Sequence, residues 1–180
     1  MVPIESNETD NHQTGKTCLK YSTGQIIIDN LPYMVMTILG AAIFIVGLNT
    51  SLLRWLSASL YILYSIVGTF WIILFICPHC HYYGTHGCPC GYGLVAQKWR
   101  SKKDMDLFRK KFKQHIPVIY PLWIVPAVSG IGFLIQEFSS VKLVLLILFA
   151  IDAFIILPLI SKKVGCTDCP QKDQCPWMTK

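Results

Sequence analysis

The chain has 180 residues, of which 53% are hydrophobic and only 14% charged, with a net charge of +6. Soluble domains carry roughly 45–50% apolar and about 25% charged residues, and a core this small cannot hide the surplus. The composition therefore excludes an ordinary soluble domain and points to lipid as the solvent.

In chain order, residues 1–32 form a polar tail of Asn, Thr, Gln and acidic residues. It lacks the basic-then-apolar opening of a cleavable signal peptide, and its composition predicts disorder. Within it, Ile26-Ile27-Ile28 and Pro32 set how the chain enters the first apolar run.

A bilayer core of about 30 Å needs about 20 apolar residues in a helix rising about 1.5 Å per residue. Four runs meet that need: 33–53, 56–77, 116–136 and 141–160. The first two meet at a tight turn around 49–54, the last two at 137–140. The predicted fold is thus all-α, with four transmembrane helices in two hairpins, 33–77 and 116–160. Asn49-Thr50-Ser51 fits a glycosylation acceptor, but a turn this close to the bilayer makes it a chance match.

Lysine and arginine near the spans set orientation. The loop 78–115 holds eight of them, the C-terminal tail 161–180 four and the N-terminal tail two, against only Arg54 and Lys142 on the other side. Fourteen against two predicts that both tails and the middle loop face the cytoplasm of a cell membrane.

The second half of that loop, 98–115, carries Met105, Phe108 and Phe112 at helical spacing, continued by Ile116, with Trp99 at the near end and lysines between. The pattern predicts an amphipathic helix on anionic lipid, or on the acidic surface of a partner.

The first half, 78–97, with the residue before it, concentrates the chemistry: Cys77-Pro-His-Cys80-His81, then Cys88-Pro-Cys90-Gly91-Tyr92-Gly93. Three chemistries fit Cys77–His81. As C-x-x-C-H it matches a c-type haem attachment motif. As Cys-Pro-His-Cys it matches the dithiol of oxidising thioredoxin-fold enzymes. Together with Cys88 and Cys90 it matches a four-thiolate metal or iron–sulfur site. Haem attachment and oxidative dithiol chemistry belong outside the cytoplasm, and neither accounts for Cys88-Pro-Cys90. A four-thiolate site accounts for all four cysteines. Gly84, Gly87, Gly91 and Gly93 give the backbone the sharp turns that such a site requires. His79, His81 and His86 are available nitrogens but read as ordinary loop residues.

A second cluster, Cys166, Cys169 and Cys175, lies in the tail 161–180. Its C-x2-C-x5-C spacing resembles the auxiliary iron–sulfur segments of some radical-SAM enzymes. That resemblance covers about ten residues and implies a cluster with these three as ligands. A fourth would come from Cys18, a loop histidine or another subunit. The x3-spaced cysteine triad of radical-SAM catalysis is absent from the sequence.

Inside the spans, Asp152 interrupts the fourth run, and an ionisable residue at that depth costs at least ~2.5 kcal/mol. It reads either as a proton relay, quinone-site acid or cation ligand, or as a protonated group bonded to Thr37, Tyr64, Thr69 or Ser129. Pro117, Pro121 and Pro126 predict a bent third span with carbonyls freed from helical bonds.

The leading expectation is an electron-transfer subunit of a membrane redox complex, holding iron–sulfur centres on Cys77, Cys80, Cys88 and Cys90 and on Cys166, Cys169 and Cys175. The alternatives are a zinc-stapled scaffold or assembly factor, and a membrane-anchored c-type haem protein. The bilayer and other subunits are the expected partners, without nucleic acid. No catalytic nucleophile–base pair or phosphate loop can be read, so enzymatic activity stays open.

Overall fold

A computed structural model describes residues 21–166, and among these every regular element is helical. Four helical stretches are long and apolar enough to cross a membrane: Thr23–Gly47, Ser51–His79, Met105–Gln136 and Ser140–Lys163. Their outward faces are apolar, with Ile135 81% and Leu52 73% exposed, as suits contact with lipid.

Helix α1 (Thr23–Gly47) starts ten residues earlier than the first apolar run predicts. The cause is a capping box that hydropathy does not register. Ser22 Oγ accepts the Gln25 N–H at 3.3 Å, and Gln25 Oε1 accepts the Ser22 N–H at 2.9 Å. The part of the polar tail from Thr23 onward is therefore helical, with Pro32 inside the helix. At its other end α1 stops at Gly47, and α2 (Ser51–Phe75) begins after a turn at 48–50. Arg54, on the first turn of α2, reaches back to donate from Nε to the Leu48 carbonyl. The turn carries no charge and Leu52 and Leu53 follow it, so hydropathy alone sets the boundary too late.

The expected basic helix over 98–115 divides in two. Helix α3 (Tyr92–Trp99) ends at the β-conformation of Arg100, and Ser101–Asp104 are non-helical. A short 3-10 turn, Met105–Leu107, then leads into α4 (Phe108–His115). The Asp104 side chain accepts from the Asp106 N–H at 3.0 Å and restarts the chain as a helix. The apolar stripe of α4 packs onto protein: Phe108 is buried against Ile76, with Phe112, Ile116 and Cys80 around it.

The prolines of the third span act where they stand. Pro117 lies in a 3-10 segment, Ile116–Ile119, Pro121 opens α5 (Pro121–Gln136), and Pro126 is inside it. The fourth span is α6 (Ser140–Ile151), a π-helical turn Asp152–Ile156, α7 (Leu157–Ile160) and a second π-helical turn, Ser161–Cys166. The Leu157 N–H bonds the Asp152 carbonyl, five residues back. Pro158 next to it cannot donate to the Phe154 carbonyl, which favours a widened turn here.

Helix α1 is central, packing on α2, α5 and α6. The core gathers Met36, Ile43, Phe44, Tyr61, Leu122 and Phe149. Gly40 lets α2 approach: a Cβ there would lie 2.5 Å from the Tyr61 ring.

Candidate functional site

The cysteine loop is built from two turns. In the first, a 3-10 turn Cys77–His79, the Cys80 N–H bonds the Cys77 carbonyl at 3.0 Å. In the second, the Gly91 N–H bonds the Cys88 carbonyl at 3.0 Å. Gly84 and Gly91 have φ of +70° and +72°, the left-handed backbone that their sequence setting suggests. The turns are held together by Gly84 N–H to the Gly93 carbonyl, 3.0 Å, and by the approach of Gly93 to the Tyr82 carbonyl. A Cβ at Gly93 would sit 2.4 Å from that oxygen.

This arrangement brings the first four predicted cysteines into one neighbourhood. Cys77 and Cys80 stand at the ends of the first turn, and Cys88 opens the second, which contains Cys90. Cys77 is buried with Ile73 and Ala96, Cys80 and Cys88 are half-buried and Cys90 is exposed. Cys80 also borders the Phe108 cluster, so α3 and α4 both wall the loop. The loop follows α2 directly and precedes α3, whose N-terminus at Tyr92 is two residues after Cys90. Among the described residues, no three His, Cys, Asp or Glu side chains converge in a geometry ready to hold a metal ion. Cys166 ends the second π-helical turn; Cys169, Cys175 and Cys18 lie outside the described residues.

One histidine of the loop braces its backbone through its ring. His79 is buried, and its Nδ1 donates to the Asp104 carbonyl at 2.7 Å. The Lys103 N–H bonds the Pro78 carbonyl at 2.9 Å beside it. His86 offers its carbonyl to the Tyr21 N–H at 3.0 Å, and the His81 ring lies edge-on to Tyr82. Tyr83 donates to the Arg100 carbonyl at 2.5 Å, so the segment between α3 and α4 is tied to the loop at several points.

Sequence reasoning overlooked the residues that join the loop to the spans. The Asn30 amide donates to the Cys90 carbonyl at 3.2 Å. Tyr92 is half-buried against the Cys77 cluster, and its hydroxyl lies beside Thr69 on α2. Burial, then nearby Cys90, Tyr33 and Cys77, push its pKa well above the tyrosine range. Thr69 bonds Tyr33, which exchanges hydrogen bonds with Ser65, and Ser65 bonds Thr37 at 3.1 Å. A run of hydroxyls thus joins α1 and α2 just below the cysteine loop. Hydropathy treats Tyr33, Ser65 and Thr69 as tolerable polar interruptions, and only helical phase on two facing helices would have paired them.

Beside this run lies a cavity of about 160 Å³, bordered by Asp29, Tyr33, Thr69, Cys90 and Tyr92. In the sequence Asp29 marks only the edge of a charge-free stretch. In the fold one of its carboxylate oxygens, Oδ2, is shielded from solvent and has no hydrogen-bond partner among the described residues. Asp152 has the same property deeper in the spans: it is 5% exposed, and its Oδ2 has no partner among the described residues. Of its expected partners, Thr37, Tyr64 and Thr69 bond other groups, Tyr64 donating to the Val118 carbonyl at 2.5 Å.

No protein-family model, curated protein or solved structure matches this chain.

Proposed function

We propose that this protein is an electron-transfer subunit of a membrane redox complex, carrying a thiolate-ligated iron–sulfur centre on the cytoplasmic face of a cell membrane. The observation that carries the reading is the placement of Cys77, Cys80, Cys88 and Cys90 on two turns that the Gly84–Gly93 bond joins at the end of a span. Thiolate sites assemble together with their metal, so the side chains need only be within reach of a common centre beforehand. Cys77, Cys80, Cys88 and Cys90 would be its ligands. Cys166, Cys169 and Cys175 would supply most of a second centre in the tail. Bound there, an iron–sulfur centre takes up and releases single electrons, while the surrounding chain sets its exposure and hydrogen bonding.

The basic loop and both tails are assigned to the cytoplasm by the lysine and arginine count. Soft thiolate donors suit zinc as well as iron, and a zinc staple for a scaffold or assembly factor is the competing reading. A c-type haem fits less well, because haem attachment belongs outside the cytoplasm and leaves Cys88 and Cys90 without a role.

The direct test is metal retention in the variants C77S, C80S, C88S and C90S of the full chain. Each should lose most of the metal bound by the loop centre. Retention of the wild-type content in all four would end the proposal.

A further inference from the structure

The cavity beside the cysteine loop has a polar wall and an apolar wall. Asp29, Tyr33, Thr69 and Tyr92 supply the first; Ile119, Leu157 and Ile160, from the third and fourth spans, supply the second. Its volume of about 160 Å³ suits one six-membered ring, since a cavity of about 150 Å³ admits benzene. Among the described residues no lysine or arginine borders it, and Asp29 does, so phosphate and carboxylate ligands are disfavoured. What remains is a neutral ring that offers oxygen atoms to one wall and hydrocarbon to the other.

We propose that this cavity binds the head ring of a quinone. Asp29 Oδ2, screened from solvent and without a partner among the described residues, is the group that lacks something to bond. A carboxyl group suits both forms of such a ligand. Protonated, it donates to a quinone carbonyl; ionised, it accepts from a quinol hydroxyl. Cys90 borders the same space, and its carbonyl holds the Asn30 amide. A ring bound there would therefore lie next to the loop that carries the metal centre, as a membrane electron acceptor or donor must. The redox role rests on the iron–sulfur reading, whereas the binding site itself rests on the cavity.

The test is equilibrium binding of decylubiquinone to the purified full chain in lipid nanodiscs, with metal content measured on the same samples. One saturable equivalent is expected in the wild type. Asp29→Leu should weaken binding at least tenfold, and Leu157→Trp, which fills the apolar side, should abolish it. Melting curves of both variants show whether they remain folded; Asp29→Leu alone suffices if Leu157→Trp does not. Absence of saturable binding in folded wild type would overturn the site, as would equal binding by folded Asp29→Leu, or a co-purified phospholipid that occupies the cavity. Binding without iron would keep the site and remove its redox role. Iron and sulfide without binding would remove the site and leave the electron-transfer reading standing.

Discussion

The Tyr61 hydroxyl donates to the Leu122 carbonyl at 2.9 Å. In an unbroken helix that carbonyl would receive the N–H of residue 126, but residue 126 is proline and has none. Tyr61 on α2 therefore supplies the bond that α5 lacks, in a region where water cannot. Gly40 makes this possible by leaving the space that the ring crosses.

Tyr61→Phe should therefore cost about 1–2 kcal/mol of stability in detergent unfolding. The cost should shrink in a Pro126→Ala background, where residue 126 can donate again. An equal cost in both backgrounds would show that the tyrosine matters for packing alone.

Gly93 holds the two cysteine turns together through its approach to the Tyr82 carbonyl. Gly93→Ala should displace backbone and lower metal retention severalfold. Gly132→Ala is the control, because a Cβ there meets nothing within 4 Å. Metal content of the two variants, each against wild type, reads the difference.

Tyr92 gives the fold an alkaline limit. Its folded pKa is raised, first by burial and then by Cys90, Tyr33 and Cys77, so the unfolded chain releases the proton at lower pH. Its contribution is complete below about pH 10, the ordinary tyrosine value, and is lost as pH rises beyond that. Thermal melts from pH 8 to 11 should fall more steeply for wild type than for Tyr92→Phe. Parallel curves would contradict the burial argument.

Asp152 opens the π-helical turn of the fourth span with a shielded oxygen that has no partner among the described residues. A buried polar atom without a partner costs about 1–3 kcal/mol. Asp152→Leu should therefore leave the melting temperature unchanged or higher. A marked fall would mean that Asp152 is bonded in the membrane-embedded protein and has a structural role.

The four apolar runs were legible in the sequence because a lipid solvent demands length and hydropathy, and both are local properties. Their ends were less so. The Ser22–Gln25 box and the Arg54 cap on Leu48 are side-chain bonds that hydropathy ignores, and they shift α1 by several residues at each end. The single amphipathic helix failed at Ser101–Asp104, where Lys103 and Asp104 bond the Pro78–His79 turn. The spacing of Cys77, Cys80, Cys88 and Cys90 along the loop was visible in the sequence. Their attachment to the spans was not, since Asn30, Tyr33, Thr69 and Tyr92 come from three elements and meet only in the fold.

The most direct measurement is iron, zinc and acid-labile sulfide on the full chain purified without oxygen. Iron with comparable sulfide is expected, and it should fall when Cys77, Cys80, Cys88 or Cys90 is replaced. Zinc without iron or sulfide would contradict the electron-transfer reading and leave the loop as a structural staple.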